Sequence, residues 1–328
     1  MLLDIAYVII GLAVLMWSAD KFIDGAAGTA TYFGMSPLMV GMLIVGFGTS
    51  APEIVVSAFA AFDGNPGIAL GNAYGSNIAN IGLVLGITAL LYPLSVGSRI
   101  VRREIPLLVL VLLLCFGLLY DFSLSRIEAI ILLLVIVVIM IFNTFYSNEQ
   151  DSLSSELSEE SSDREQITLG KALFSLVIGL VLLLLSSKYL VDGAVGIAQY
   201  FGVSDLVIGL TVIAVGTSLP ELASSMAAAK KGESDIVLGN IIGSSLFNAL
   251  AVVGIAGVIK PLQIENIFLY RDFSTGFILT LLLWFFTFGI RGKAELTRQQ
   301  GGFLLLAYIA YTVYLLITMK GEPLLPLL

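Results

Sequence analysis

The chain has 328 residues, 58% of them hydrophobic and 12% charged, with a mean hydropathy of +1.01. Soluble domains run nearer about 45–50% apolar and about 25% charged, so a soluble fold is excluded and a polytopic membrane protein is predicted. The net charge of −8 is concentrated in residues 149–165, where seven acids face a single Arg164, and no basic patch of a nucleic-acid binder is present.

A helix crossing about 30 Å of hydrocarbon needs about 20 mostly apolar residues. Ten segments answer to that: 3–23, 36–61, 67–91, 103–120, 126–146, 168–190, 204–229, 235–259, 272–290 and 300–319. The first lacks a basic flank and a small-residue cleavage site, so it reads as a retained helix and not a signal peptide. The predicted fold class is an all-α polytopic membrane protein of ten transmembrane helices. Residues 147–167, rich in Ser and Glu, have little to bury and predict an acidic flexible connector.

The two sides of that connector match. Residues 18–87 align with 186–255 at an offset of 168 without a gap, and 31 of the 70 positions are identical. Polar residues recur in register, among them Asp24 with Asp192, Asn72 with Asn240 and Asn80 with Asn248. Residues 1–146 and 168–328 therefore predict two five-helix repeats. Five is odd, so the second repeat enters the membrane from the opposite side, as in the inverted repeats of secondary transporters. With the N-terminus outside, eleven Lys and Arg fall on the cytoplasmic side and five on the outer side. That bias places both termini outside and the connector in the cytoplasm.

Residues 48–53 read Gly-Thr-Ser-Ala-Pro-Glu and residues 216–221 read Gly-Thr-Ser-Leu-Pro-Glu. A carboxylate at membrane depth costs roughly 2.5 kcal/mol or more, so Glu53 and Glu221 demand a function. Pro52 lacks an N–H and releases the Gly48 carbonyl, while Gly46 loosens the turn. Thr49 and Ser50 add hydroxyls. Ala214, Thr217, Ser218 and Pro220 repeat the arrangement. In the following helices Asn72, Ser76 and Asn80, and again Asn240, Ser244 and Asn248, are four apart and share one face. Gly71, Gly75, Gly82, Gly239 and Gly243 are expected to let those helices approach the broken ones closely.

Pooled, the site offers only oxygen ligands, with no His in the chain and a single cysteine, Cys115, that reads as a small buried hydrophobe. Hard cations want that set: calcium takes about 6–8 oxygens, and sodium can use the same ones. Two glutamates are neutralised by one divalent ion or two monovalent ones. Protons are the other coupling candidate. A cation channel is a rival from another class. An intramembrane hydrolase using Ser50 or Ser218 ranks last, because neither serine has a His or adjacent Lys as base. Ser57 and Ser225, one turn beyond each Glu, either support the carboxylates or bond back to their own helices, and the second is the favoured expectation.

The duplicated GTSxPE followed by GNxxGSxxxN closely resembles the calcium/sodium antiporters of the calcium:cation antiporter superfamily, over nearly the whole chain. The resemblance implies ten helices, the first and sixth long and sliding over a bundle of the other eight. It implies central acids at Glu53 and Glu221, ligands at Thr49, Ser50, Thr217, Ser218, Ser76, Asn80 and Ser244, and backbone oxygens near Gly46 and Ala214. Some relatives carry Asp where this chain has Asn248, and the amide here favours potassium-independent exchange. The cargo expected is calcium and sodium with no cofactor and no enzymatic activity. The expected surroundings are a lipid bilayer, no nucleic acid, and a transport unit of one chain.

Overall fold

The computed structural model describes residues 1–62, 66–155, 168–201, 214–288 and 294–318. Two helices stand out by length: α1 (Leu2–Phe33) and α7 (Leu169–Tyr200), each of 32 residues. At 1.5 Å per residue each reaches about 48 Å, beyond the hydrocarbon core. α1 runs past Asp20, Lys21 and Asp24, well beyond the end that its apolar run predicted. It stops at Gly34, whose φ of 62° makes a left-handed cap that bonds back to Ala30.

α1 and α7 lie antiparallel against each other, with Gly11 beside Leu190 and Gly25 beside Leu176. A Cβ at Gly25 would fall 2.6 Å from Leu176 Cα, and one at Gly179 would fall 2.7 Å from Phe22 Cα. Only glycine permits backbones that close, so this seam is written into the small residues of both helices.

The bundle beside this pair begins with α2 (Pro37–Thr49) and α3 (Ala51–Phe62), which meet at 42° across Ser50. α4 spans Pro66–Ala79, continues through a π-helical turn at Asn80–Leu85 and ends with Gly86–Leu91. α5 joins a π-helical Ile100–Glu104 to Ile105–Leu119, and α6 covers Arg126–Ser155. In the second half α8 (Ala214–Thr217) and α9 (Leu219–Lys230) flank Ser218. α10 covers Ser234–Leu246, a π-helical Phe247–Val252 and Val253–Ile259. α11 joins a π-helical Phe268–Phe273 to Ser274–Thr287, and α12 is Arg298–Thr318.

Seven helices among the described residues are long and apolar enough to cross a membrane: α1, α4, α6, α7, α10, α11 and α12; the bent pair α2–α3 adds an eighth if it is one span. The protein is a polytopic helical membrane protein. The apolar window of α10 is 89% buried and that of α4 is 72%, against 22% for α1 and α7 and 17% for α12. The two helices that carry the repeated asparagines are thus the centre of the bundle. The others turn Ile9, Trp17, Leu134 and Phe174 outward, where lipid is the solvent.

Short antiparallel strands join the two halves at the loops. β1 (Leu94–Ser95) pairs with β4 (Glu295–Leu296), and β2 (Ser123–Leu124) pairs with β3 (Leu262–Gln263). Polar clamps add to this. Glu104, fully buried, takes Arg99 Nε at 3.2 Å and Arg103 Nε at 3.8 Å, and Arg103 also donates to Asn143 Oδ1 on α6 at 2.8 Å. In the second half Arg271 pairs with Asp272 at 2.7 Å, and the Tyr311 hydroxyl of α12 donates to Asp272 at 2.7 Å. Lys231, just past α9, reaches Asp24 Oδ1 on α1 at 2.8 Å.

The predicted boundary of α6 shifts as well. α6 continues to Ser155, so residues 147–155 of the expected connector are helical. Their Glu and Gln are good helix formers that extend a helix already nucleated in the apolar run. Residues 156–167 of the connector, and 204–213 of the seventh predicted segment, lie outside the described residues.

Candidate cation site

The site is built where α2 gives way to α3 and α8 gives way to α9. Ser50 (φ −81°, ψ 0°) and Ser218 (φ −91°, ψ 4°) interrupt the two helices at matching positions. Pro52 and Pro220 follow as the second residues of the new helices, where a missing N–H costs nothing. Glu53 and Glu221 then sit in the first turns of α3 and α9. That position also suits a carboxylate electrostatically, because a helix N-terminus carries partial positive charge.

Each of these helices packs against the π-helical turn of the other half. α3 lies on Phe247–Val252, which holds Asn248, and α9 lies on Asn80–Leu85, which begins with Asn80. A π-helical turn widens the helix by one residue and often marks a functional site. No composition or spacing announces these turns.

The cross-linking between halves is specific. Ser244 Oγ donates to the Gly46 carbonyl at 3.2 Å and lies 3.4 Å from Asn240 Oδ1. Thr49 Oγ1 donates to the Val45 carbonyl at 3.0 Å and lies 3.3 Å from Asn240 Oδ1. Hydroxyls whose protons are engaged on carbonyls keep lone pairs free for a cation. The Ser76 hydroxyl stands beside the Glu53 carboxyl, and the Thr49 hydroxyl beside that of Glu221. The two carboxyls are close enough to repel each other.

Asn72 and Asn240 are brackets, not ligands. Asn72 Nδ2 donates to Ser57 Oγ at 2.9 Å and to the Glu53 carbonyl at 3.1 Å. Asn240 Nδ2 donates to Ser225 Oγ at 2.9 Å and reaches the Glu221 carbonyl at 3.5 Å. Ser57 and Ser225 therefore accept from the neighbouring helix, which corrects the expectation that they bond back to their own. Each amide nitrogen needs an acceptor in an apolar bundle, and the serine oxygen across the interface supplies one. Ser187 on α7 also enters the frame, donating to the Gly216 carbonyl at 3.1 Å. Its counterpart by offset is Ala19, so the repeat could not point to it.

Among the described residues the glycine expectation is met at Gly239 and Gly243, and the stretch that Gly71 and Gly75 would approach lies outside them. A Cβ at Gly239 would lie 2.5 Å from the Leu38 carbonyl, and one at Gly243 2.6 Å from that of Met42, so α10 is pressed onto α2. Gly82 does something else: its close neighbour is Tyr308 of α12, because the π-helical turn rotates it away from the broken helix. Gly71 and Gly75 meet no described atom within 4 Å.

What remains is a cluster of unused polar atoms. Among the described residues, Ser50 Oγ, both carboxyl oxygens of Glu53, both amide atoms of Asn80, Ser218 Oγ, both carboxyl oxygens of Glu221 and both amide atoms of Asn248 have no hydrogen-bond partner. All six residues are at most 1% exposed. A native interior tolerates a few such groups, and a concentrated set calls for a ligand. Eight of these ten atoms are oxygens. Among the described residues neither glutamate has a cationic side chain as partner. Gly46 opens the short helical turn before Ser50, Thr217 closes α8 half-buried, and Ala214 begins α8.

Three comparisons bear on this geometry. The family model described as sodium/calcium exchanger protein matches residues 3–145 and 171–317. An inner membrane protein of Escherichia coli, YrbG, is 39% identical over 295 residues, covering 87% of this chain and 90% of its own. The sodium/calcium exchanger MaX1 of Methanosarcina acetivorans is 30% identical, covering 94% of this chain and 97% of its own. Among solved structures, the sodium-calcium exchanger NCX_Mj superposes with a TM-score of 0.82 at 32% identity, covering 96% of this chain and 99% of that one.

Proposed function

The chain belongs to the sodium/calcium exchanger family, and on that premise we propose that it expels calcium from the cell in exchange for sodium. That it is a calcium/cation antiporter follows from the family; sodium as the coupling ion is our reading. The observation that carries it is the cluster of eight buried oxygens, two carboxylates among them, with no cationic side chain among the described residues paired to them. Glu53 and Glu221 bridge one calcium or hold separate sodium ions. Ser50, Ser218, Asn80, Asn248, Ser76, Ser244, Thr49 and Thr217 complete the shells, with backbone oxygens at Gly46 and Ala214.

Charge accounts for exchange as opposed to leak. With both carboxylates bare, the site carries two negative charges in a low-dielectric interior, and passage between its two faces is unfavourable. One calcium or two sodium ions cancel that charge. A loaded site can switch, an empty one resists, and exchange becomes obligatory.

The architecture we assign is ten transmembrane helices in two inverted five-helix repeats, 1–146 and 168–328, joined by the cytoplasmic connector 147–167. α5 with its π-helical start, and α8–α9, supply the ninth and tenth crossings. Matching breaks at Ser50 and Ser218 and matching brackets at Asn72 and Asn240 support that reading. We place both termini outside a bacterial inner membrane and take one chain as the transport unit, free of cofactor.

The test is radiocalcium uptake into proteoliposomes loaded with sodium, potassium or choline. Sodium-loaded vesicles should accumulate calcium, and the others should not. Uptake driven by a pH gradient in sodium-free medium would overturn sodium coupling in favour of protons, and uptake set by voltage alone would point to a channel.

A further inference from the structure

Behind the cation site lies a second polar feature that ion exchange does not use. A small cavity opens between α4, α5, α10 and α11, lined by Tyr74, Asn77, Ser245 and Thr280 with Leu108 and Phe277. Asn77 and Ser245 are 168 residues apart, so they are counterparts in the repeat, and Asn77 Nδ2 donates to the Ser245 carbonyl at 3.2 Å. Thr280 is satisfied by the Gly276 carbonyl at 2.9 Å. Three atoms of the lining are not satisfied: Tyr74 Oη, Asn77 Oδ1 and Ser245 Oγ are buried without a hydrogen-bond partner. Their residues are at most 4% exposed. Tyr74 lies beside Cys115, whose thiol is turned to the Ala249 carbonyl at 3.7 Å.

The size and charge of this space decide its occupant. It has room for about one water molecule. No acidic side chain lines it, so a cation there would be buried without a counter-charge. A water can donate twice and accept twice, and buried waters typically make about three hydrogen bonds. The lining offers one amide oxygen that can only accept and two hydroxyls that can do either.

We propose that this cavity is a water-binding site, in which a single buried water joins Tyr74 Oη, Asn77 Oδ1 and Ser245 Oγ and fixes α4 against α10. The water donates to Asn77 Oδ1, which orients the amide so that its nitrogen faces the Ser245 carbonyl. Asn77 and Ser245 each adjoin a serine of the cation site, Ser76 and Ser244. They are positioning residues in that sense, and this last point alone rests on the antiporter reading.

Tyr74→Phe and Ser245→Ala decide between a wet and a dry cavity by sign. If the cavity is dry, each native hydroxyl is an unmet buried group, and deleting it raises the Tm or leaves it unchanged. If the water is present, each deletion removes one of its partners and lowers the Tm by about 3–6 °C. The double variant should then lose less than the sum of the two, because both act through one water. The melts are run on the full chain in detergent with chelator, so failure of the transport reading leaves them intact. A crystal structure of the unaltered chain gives the second measurement. Density within hydrogen-bond distance of all three atoms supports the proposal, and a bare cavity overturns it, as does a rise in Tm for both variants.

Discussion

Glu53→Gln tests the charge argument with little change of shape. Both carboxyl oxygens of Glu53 are buried without a partner, and Glu221 presents a second carboxylate to the same space. Without cargo, the substitution removes a costly buried charge, and an unsatisfied buried group costs about 1–3 kcal/mol or more when charged. In chelator the variant should therefore melt higher than the native chain, by about 2–6 °C at about 2 °C per kcal/mol for a chain of this size. With calcium the gap closes. Removing one member of a buried charge pair costs about 3–5 kcal/mol, which weakens binding at least about 100-fold. At calcium one hundred times the native Kd, the native chain gains about 2.7 kcal/mol and the variant about 0.4. Calcium should then raise the native Tm by about 5 °C and the variant Tm by about 1 °C. Differential scanning fluorimetry with and without calcium reads all four values. A variant that melts lower in chelator and keeps the native calcium shift would refute the reasoning.

Three further outcomes follow from the same geometry. Asn240→Ala removes the bracket to Ser225 and the longer contacts to Thr49, Ser244 and the Glu221 carbonyl; at about 1 kcal/mol for the short bond and less for each long one, it should lower the Tm by about 4 °C and raise the calcium concentration for half-maximal uptake. Gly243→Val drives a side chain into the Met42 backbone, 2.6 Å from where its Cβ would sit, and should leave little monodisperse protein on size-exclusion chromatography, whereas Gly170→Ala, with no neighbour within 4 Å, should elute normally. Lys231→Met breaks the ion pair to Asp24, but both side chains are about a third or more exposed to solvent, so thermal melts should register less than about 1 kcal/mol; a larger loss would mean that this contact holds α1 to the bundle far more firmly than a surface ion pair can.

What could be read from residues alone was the polar content of the site. Glu53, Glu221 and the repeated asparagines are costly in an apolar run, so their presence in register is a signal that hydrophobicity cannot imitate. Helix length was hidden because Asp20, Lys21 and Asp24 interrupt the apolar count of α1 while the backbone continues, the charges finding water or Lys231 at the bundle edge. The π-helical turns were hidden for a different reason: they are settled by packing between halves, and Asn80 and Asn248 look the same in sequence whether their helices are regular or widened. The roles of Ser57 and Ser225 depended on which amide arrives from the next helix, a tertiary fact.

The paired strands at the loops have a consequence for how the chain can be divided. β1 belongs to the first half and finds its partner just before the last helix; β3 belongs to the second and finds its partner between α5 and α6. Each half thus supplies the missing edge of the other at two separate places, like interleaved fingers. A fragment ending before the connector would leave its strand edges at the loops unpaired and a face of α4 uncovered. Co-expressed fragments would have to find each other before either could settle.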